Sequence, residues 1–132
     1  IRAEPATKFK RIGDQENLSA WERAWRGGGL DGAEPIFLNP LLTRSDIAIF
    51  AARRGDEIAA GCIVNRDAAC AGFTNLFAAE NAHGLRAGAV ACARQFANGS
   101  PLVGWAPDHE LGAYQEIGFH AVAPMRVWTR EG

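Results

Sequence analysis

The stretch Ala113-Tyr114-Gln115-Glu116-Ile117-Gly118-Phe119 reads as the end of a helix that turns into a strand. Asp108 can cap that helix with its carboxylate, and Leu111, Tyr114 and Ile117 recur every three residues along one side. Gly118 supplies the positive φ that closes a helix. From Phe119 toward Thr129 the apolar content predicts a final strand, bulged or interrupted at Pro124, which has no N–H to donate. Just upstream, Leu102 to Trp105 reads as a short apolar strand. Before it, Leu85, Ala89, Cys92 and Phe96 fall at spacings of four, three and four, one stripe of a helix that stops at Asn98, Gly99 and Pro101.

Working further toward the N-terminus, Asp46 to Arg53 and Glu57 to Asn65 are apolar runs separated by Arg54 to Asp56, a hairpin. A second turn at Arg66 to Ala69 leads to Cys70 to Ala78, where Phe73, Asn75 and Phe77 alternate with Thr74, Leu76 and Ala78. The three segments form an antiparallel meander. Asp14 to Arg26 reads as an amphipathic helix, with Asp14 or Asn17 as cap and Leu18, Trp21 and Trp25 on its apolar side. It ends at Gly27, Gly28 and Gly29, so Gly27 to Pro35 reads as a mobile loop or hinge. Pro35 to Leu42 carries Ile36, Phe37, Leu38, Leu41 and Leu42, too apolar for a linker, and is expected to fold over something. Lys8 to Ile12 is the one possible strand before the first helix. The predicted order is helix, three antiparallel strands, helix, strand, helix, strand.

A chain of 132 residues, 48% hydrophobic and 22% charged, fits one domain around one core. Its net charge of -1 supplies no general field for nucleic acid or an anionic membrane, so any anion must be bound locally. No apolar run approaches the roughly 20 residues that span a bilayer, and Ile1 to Lys10 has no signal-peptide core. Cys62, Cys70 and Cys92 form no CxxC pair, and His83, His109 and His120 lack metal-ligand spacing. A reduced, cytoplasmic protein without a metal is expected. Arginine outnumbers lysine 12 to 2, the bias of a GC-rich bacterial genome.

The order of elements and the Ala113 to Phe119 segment resemble the GCN5-related N-acetyltransferase (GNAT) superfamily, in which a tyrosine-bearing helix ends four residues later in Gly-Phe. Arg54-Gly55-Asp56-Glu57-Ile58-Ala59-Ala60-Gly61 resembles the family's central hairpin, and the similarity spans 46–128. The implied fold is α/β (α+β): a central, mostly antiparallel sheet with splayed middle strands, flanked by helices. Residues 1–45 would supply the first helix and an acceptor-side loop, and 46–132 the hairpin and the acyl-CoA-binding core. The implied activity is transfer of an acyl group, in the first place acetyl, from coenzyme A to an amine. The alternative is a catalytically silent GNAT-like ligand-binding or protein-interaction module.

The resemblance also assigns residues. Acetyl-CoA would lie where Thr74 to Ala79 and Leu102 to Trp105 splay apart, its pantetheine arm on the backbone of Leu76, Phe77 and Ala78, with Trp105 at the strand end. Its diphosphate would sit on the turn Asn81-Ala82-His83-Gly84-Leu85-Arg86, where free amides and the helix dipole converge on an anion. Only Gly84 matches the family's phosphate signature; Asn81 replaces a longer side chain and Arg86 a tiny one. A cation in a helix's first turn opposes the dipole by about 0.3 to 1 kcal/mol, and a docked anion would reverse that sign. Tyr114 matches the general acid, though its helix stripe equally suits a packing role. Glu80 is the candidate base, or a helix N-terminal acid. Trp21, Trp25, Phe37 and Leu38 are candidate walls for the amine acceptor, a small molecule or peptide. Neither nucleic acid nor membrane is expected as a partner, and the apolar end strand could pair a homodimer.

Overall fold

In the computed structural model, residues 8–27, 34–80, 82–126, 128 and 130 are described. Asp14 caps helix α1 (Gln15–Trp25), its carboxylate accepting from the Asn17 amide at 2.8 Å. The apolar runs form β2 (Ile47–Arg54), β3 (Glu57–Arg66) and β4 (Ala71–Ala78), and the stretch around Phe9 forms a three-residue β1 (Phe9–Arg11). Helix α2 (Leu85–Ala97) stops where Asn98 takes a left-handed φ of 52°. It carries the chain across to β5 (Leu102–Val103), and α3 (Leu111–Glu116) follows.

The sheet runs β1-β2-β3-β4-β5, antiparallel as far as β4 and parallel between β4 and β5. Side chains alternate along β2, so its two faces build two cores. Ala48, Phe50 and Ala52 join Cys62, Val64, Phe73, Leu85 and Ala89 beneath α2, whereas Ile49 and Ala51 join Leu18 and Trp21 beneath α1.

Strict alternation fails along β4. Ile63 pairs with Thr74 and Gly61 with Phe77, so Asn75 and Leu76 together oppose the single residue Cys62. This is a β-bulge, and Asn75 takes a φ of 55°, a conformation asparagine tolerates better than most residues. The extra residue switches faces: Phe73 packs in the α2 core and Phe77 in the α1 core.

Three further expectations are corrected. Strand β5 is two residues long, because it pairs with β4 only through Ala71 with Leu102 and Gly72 with Val103. A methyl group on Gly104 would lie 2.7 Å from the Phe73 carbonyl, so the chain just past β5 still runs against β4. Asp108 does not cap α3: it opens a 3-10 turn, Asp108–Glu110, and Glu110 precedes the helix without a side-chain cap. No strand follows Phe119 among the described residues; β5 offers too short an edge to extend, and Pro124 interrupts any ladder. Val122 and Trp128 stand 95% and 85% exposed there, so the strand expected to pair a homodimer is not preformed. The expected hinge lies mainly outside the described residues; Gly27, which opens it, has a φ of +81°.

Burial fixes a pH limit. Cys62 and Cys92 share the α2 core, and burial raises both thiols above the ordinary thiol range; Tyr114 is raised above 10.0 mainly for the same reason. A raised native pKa favours the protonated form, so this stability is whole below the ordinary values and falls as pH climbs through the native ones. The melting temperature is expected to hold from pH 7 to 8.5 and to fall above about 9, as a calorimetric pH series would show. A flat profile to pH 11 would mean that these groups ionise freely in the native state.

Candidate functional site

The bulge in β4 and the early end of β5 leave the second half of β4 without a strand partner on that side among the described residues. Helix α3 follows β5 in the chain, and its end explains the Gly-Phe motif. With a φ of +102°, Gly118 reverses the chain, and the Phe119 amide donates back to the Tyr114 carbonyl at 3.1 Å. The Phe119 ring then lies 5.5 Å from Phe73 and 5.6 Å from Tyr114, edge to face with the latter. Gly118 and Phe119 thus position the Tyr114 ring.

Tyr114 is half-buried against the α2 core. Burial is the main cause of its raised pKa; Glu110 and Cys62 push the same way, and Arg86 opposes them. The phenol is therefore within electrostatic reach of β3 below the bulge and of the first turn of α2. It remains protonated at neutral pH and can donate.

The turn into α2 is held by its own backbone. Ala82 donates to Ala79, Leu85 to Ala82 and Arg86 to His83, at 2.8, 3.0 and 3.2 Å. Among the described residues no acceptor takes the amides of His83 and Gly84. Gly84 is the N-cap of a thirteen-residue helix and brings no capping side chain. The donor set suits an anion, with half-buried Arg86 next to the turn and His83 exposed on it. Leu85 is wholly buried and its amide is already donated to Ala82, so it offers nothing to a ligand at the turn. Asn81 lies outside the described residues. Glu80 is exposed just past β4.

On the α1 face a cleft of about 740 Å³ is lined by Trp25, Phe77 and Ala78, with Arg23, Arg53, Asp56 and Glu57 among its charged residues. Two of the expected CoA-contacting residues and one expected acceptor wall thus meet in one place. Trp21 does not join them: it is fully buried, its indole N–H donating to the Phe50 carbonyl at 3.0 Å. Phe37 sits edge-on to both Trp21 and Trp25, at 5.3 and 5.2 Å. Leu38 and Trp105 are about half exposed and away from the cleft's described lining.

Two features escaped the sequence reading. Glu22 is buried; one carboxylate oxygen accepts from the Ile36 and Phe37 amides at 2.8 and 2.7 Å, and the other pairs with Arg26 at 3.0 Å. It straps the Pro35–Leu42 segment onto α1, and only the i,i+4 spacing to Arg26 could have pointed to it. The bulge had one signal, an asparagine inside an apolar strand. Among the described residues no group of three His, Cys, Asp or Glu could hold a metal, and no helix is long and apolar enough to cross a membrane.

No family profile and no curated protein sequence matches the chain. Solved structures do. An aminoglycoside acetyltransferase, meta-AAC0020, from an uncultured soil metagenomic sample superposes with a TM-score of 0.76 at 16% identity, over 94% of this chain and 95% of that one. The aminoglycoside N-acetyltransferase AAC(6')-Iy, in complex with a bisubstrate analog of CoA, gives 0.72 at 12% identity over 94% and 97%. A predicted acetyltransferase with acetyl-CoA from Clostridium acetobutylicum gives 0.65 at 14% over 92% and 94%. At these identities the likeness establishes the fold: the chain has the α/β fold of the GNAT superfamily.

Proposed function

We infer that this protein is an acyl-CoA-dependent N-acyltransferase, and in the first place an acetyltransferase, acting on a small amine. The observation that carries the reading is that β5 ends at Val103 while β4 runs on to Ala78, with Tyr114 packed on Phe119, whose ring in turn lies against Phe73 of β4. Similar folds have been solved with CoA and with acetyl-CoA, which supports the same class of co-substrate here. The two aminoglycoside acetyltransferases support a small-molecule amine as acceptor.

In this reading the amides of His83 and Gly84, with Arg86, hold the diphosphate, and the unpaired edge of β4 from Leu76 to Ala78 aligns the pantetheine arm. The amine nitrogen bonds to the thioester carbonyl carbon, the C–S bond breaks, and its electron pair leaves on sulfur. Tyr114 supplies a proton to that sulfur and regains one from solvent. The proton lost by the amine passes to Glu80 or to water. Trp25, Phe37 and the charged edge of the neighbouring cleft would receive the acceptor. The silent-module reading draws on one observation, that the Leu85 and Arg86 amides are already donated within the turn.

Acetyl-CoA distinguishes the two. At 100 times its dissociation constant a ligand adds about 2.7 kcal/mol, on the order of 10 °C in melting temperature for a chain of this length. A shift of that size with millimolar acetyl-CoA is expected, and it should shrink in Arg86→Glu. No shift at all would leave the silent module as the reading.

A further inference from the structure

We propose that the cleft on the α1 face binds a zwitterion, an amino acid with an aromatic side chain; that this ligand is also the acyl acceptor rests on the transferase reading above. The cleft, of about 740 Å³, carries unlike charges from two elements. Arg23 comes from the last turn of α1, and Asp56 and Glu57 come from the end of the β2–β3 hairpin. All three are exposed, and among the described residues none of their side chains meets a hydrogen-bond or ion-pair partner, in one another or elsewhere. Arg23 shares its stripe of α1 with Ala20, Ala24 and Gly27, which line the same cleft, so no other long side chain of that stripe covers it.

Arg53, the other charged lining residue, is engaged. Its guanidinium donates to the Asn17 side-chain oxygen at 2.6 Å and to the Asp56 carbonyl at 3.0 Å, which ties the acidic end of the hairpin to the first turn of α1. Two cations and two carboxylates thus line the cleft, which has no net formal charge but has a direction. A simple cation is drawn to the hairpin and repelled by Arg23, and a simple anion the reverse. A molecule carrying both charges is favoured at both ends. The guanidinium fork matches a carboxylate through two parallel N–H donors, and two carboxylates can share the three N–H groups of an ammonium. Trp25 and Phe77, both half-buried, supply aromatic lining for the side chain.

Phe77 and Ala78 carry the cleft to the end of β4, where the transferase reading lays the pantetheine arm. On that reading the amino acid's nitrogen gives up a proton to water or a hairpin carboxylate and bonds to the acyl carbon. The C–S bond breaks, and the products are an N-acyl amino acid and the CoA thiol. The binding itself needs no CoA.

Calorimetric titration of the whole chain, without CoA, is the test. L-Phenylalanine is expected to bind; L-phenylalaninamide, which lacks the carboxylate, and 3-phenylpropanoate, which lacks the amine, should each bind about tenfold more weakly or worse. Arg23→Gln should lose about tenfold in affinity for phenylalanine and none for the amide. Asp56→Asn combined with Glu57→Gln should weaken phenylalanine and the amide and spare 3-phenylpropanoate. Both variants should melt as the parent does, because these side chains are exposed and unpartnered among the described residues. The proposal is overturned if phenylalanine gives no heat, if the amide or the polycation spermidine binds as tightly, or if Arg23→Gln binds phenylalanine like the parent. Mass spectrometry after incubation with acetyl-CoA separates the two readings. The stated binding pattern in a protein that takes no acetyl-CoA keeps the ligand class and drops the transferase; acetylation of spermidine in preference to phenylalanine overturns the amino-acid acceptor and keeps the transferase.

Discussion

Gly61→Ala is expected to destabilise the protein by about 3 kcal/mol, although alanine is ordinarily the better strand residue by roughly 0.5 to 1 kcal/mol. Gly61 lies in the middle of β3, where the indole of Trp21 crosses the sheet against its backbone. A methyl there would collide with the Trp21 Nε1 and lie 2.6 and 2.9 Å from ring atoms of Phe77. Neither ring can retreat. Trp21 is fully buried and tied by its N–H to the Phe50 carbonyl, and Phe77 is aimed at it by the bulge at Asn75, with ring centroids 5.3 Å apart. Overpacking of about 1 to 3 kcal/mol, with about 1 kcal/mol for a strained indole hydrogen bond, outweighs the backbone gain. Phe77 also lines the α1-side cleft, so the variant should bind an acceptor poorly even where it folds. Urea denaturation followed by tryptophan fluorescence measures the loss. Gly13→Ala, where the added methyl meets nothing within 4 Å, should change stability by no more than about 0.5 kcal/mol. A Gly61→Ala protein as stable as its parent would mean that the aromatic cluster is loosely packed.

That cluster also marks where the sequence ceased to be legible. The meander, α1 and α2 were readable because their apolar residues repeat at two and at 3.6, and such periods survive any detail of packing. The bulge was not. Phe73, Asn75 and Phe77 alternate faultlessly on paper, and only the pairing of Ile63 with Thr74 and Gly61 with Phe77 reveals that the face switches between them. The final strand failed for a related reason: Phe119 to Thr129 carries strand-like residues, but a strand also needs an edge, and β5 ends after Val103. At the site, Tyr114 and Gly118 were legible because a local rule fixes both, a helix stripe and a positive-φ stop. Glu22 was not, since its partners Ile36 and Phe37 lie fourteen and fifteen residues away and bond through their backbone, which leaves no mark on residue identity. Trp21 and Trp25 looked alike in sequence. One proves to be core and the other a cleft wall, because Trp21 faces Gly61 across the sheet and Trp25 stands one helical turn further along.

Tyr114→Phe should lower turnover about a hundredfold while leaving the acetyl-CoA thermal shift within a degree of the parent's. The ring contacts with Phe119 are kept by phenylalanine, and among the described residues the phenol oxygen has no hydrogen-bond partner, so fold and cofactor binding have no reason to change. General acids contribute 10²- to 10⁴-fold, and the acidities place this one at the low end. A thiol of ordinary pKa near 8.5 is a fair leaving group even as the thiolate, whereas burial raises the Tyr114 phenol above 10.0. Full proton transfer from tyrosine to thiolate is therefore uphill by about 2 kcal/mol or more, and a donated hydrogen bond carries most of the benefit. The same inequality sets a second signature. A poorer leaving group depends more on its acid, so acyl donors built on less acidic thiols should lose more rate in Tyr114→Phe than those built on more acidic ones. Steady-state kinetics over such a donor series reads both numbers. Equal turnover in the two proteins would reduce Tyr114 to a packing residue held by Gly118 and Phe119, and a rate loss independent of thiol acidity would assign its hydroxyl to positioning rather than to proton donation.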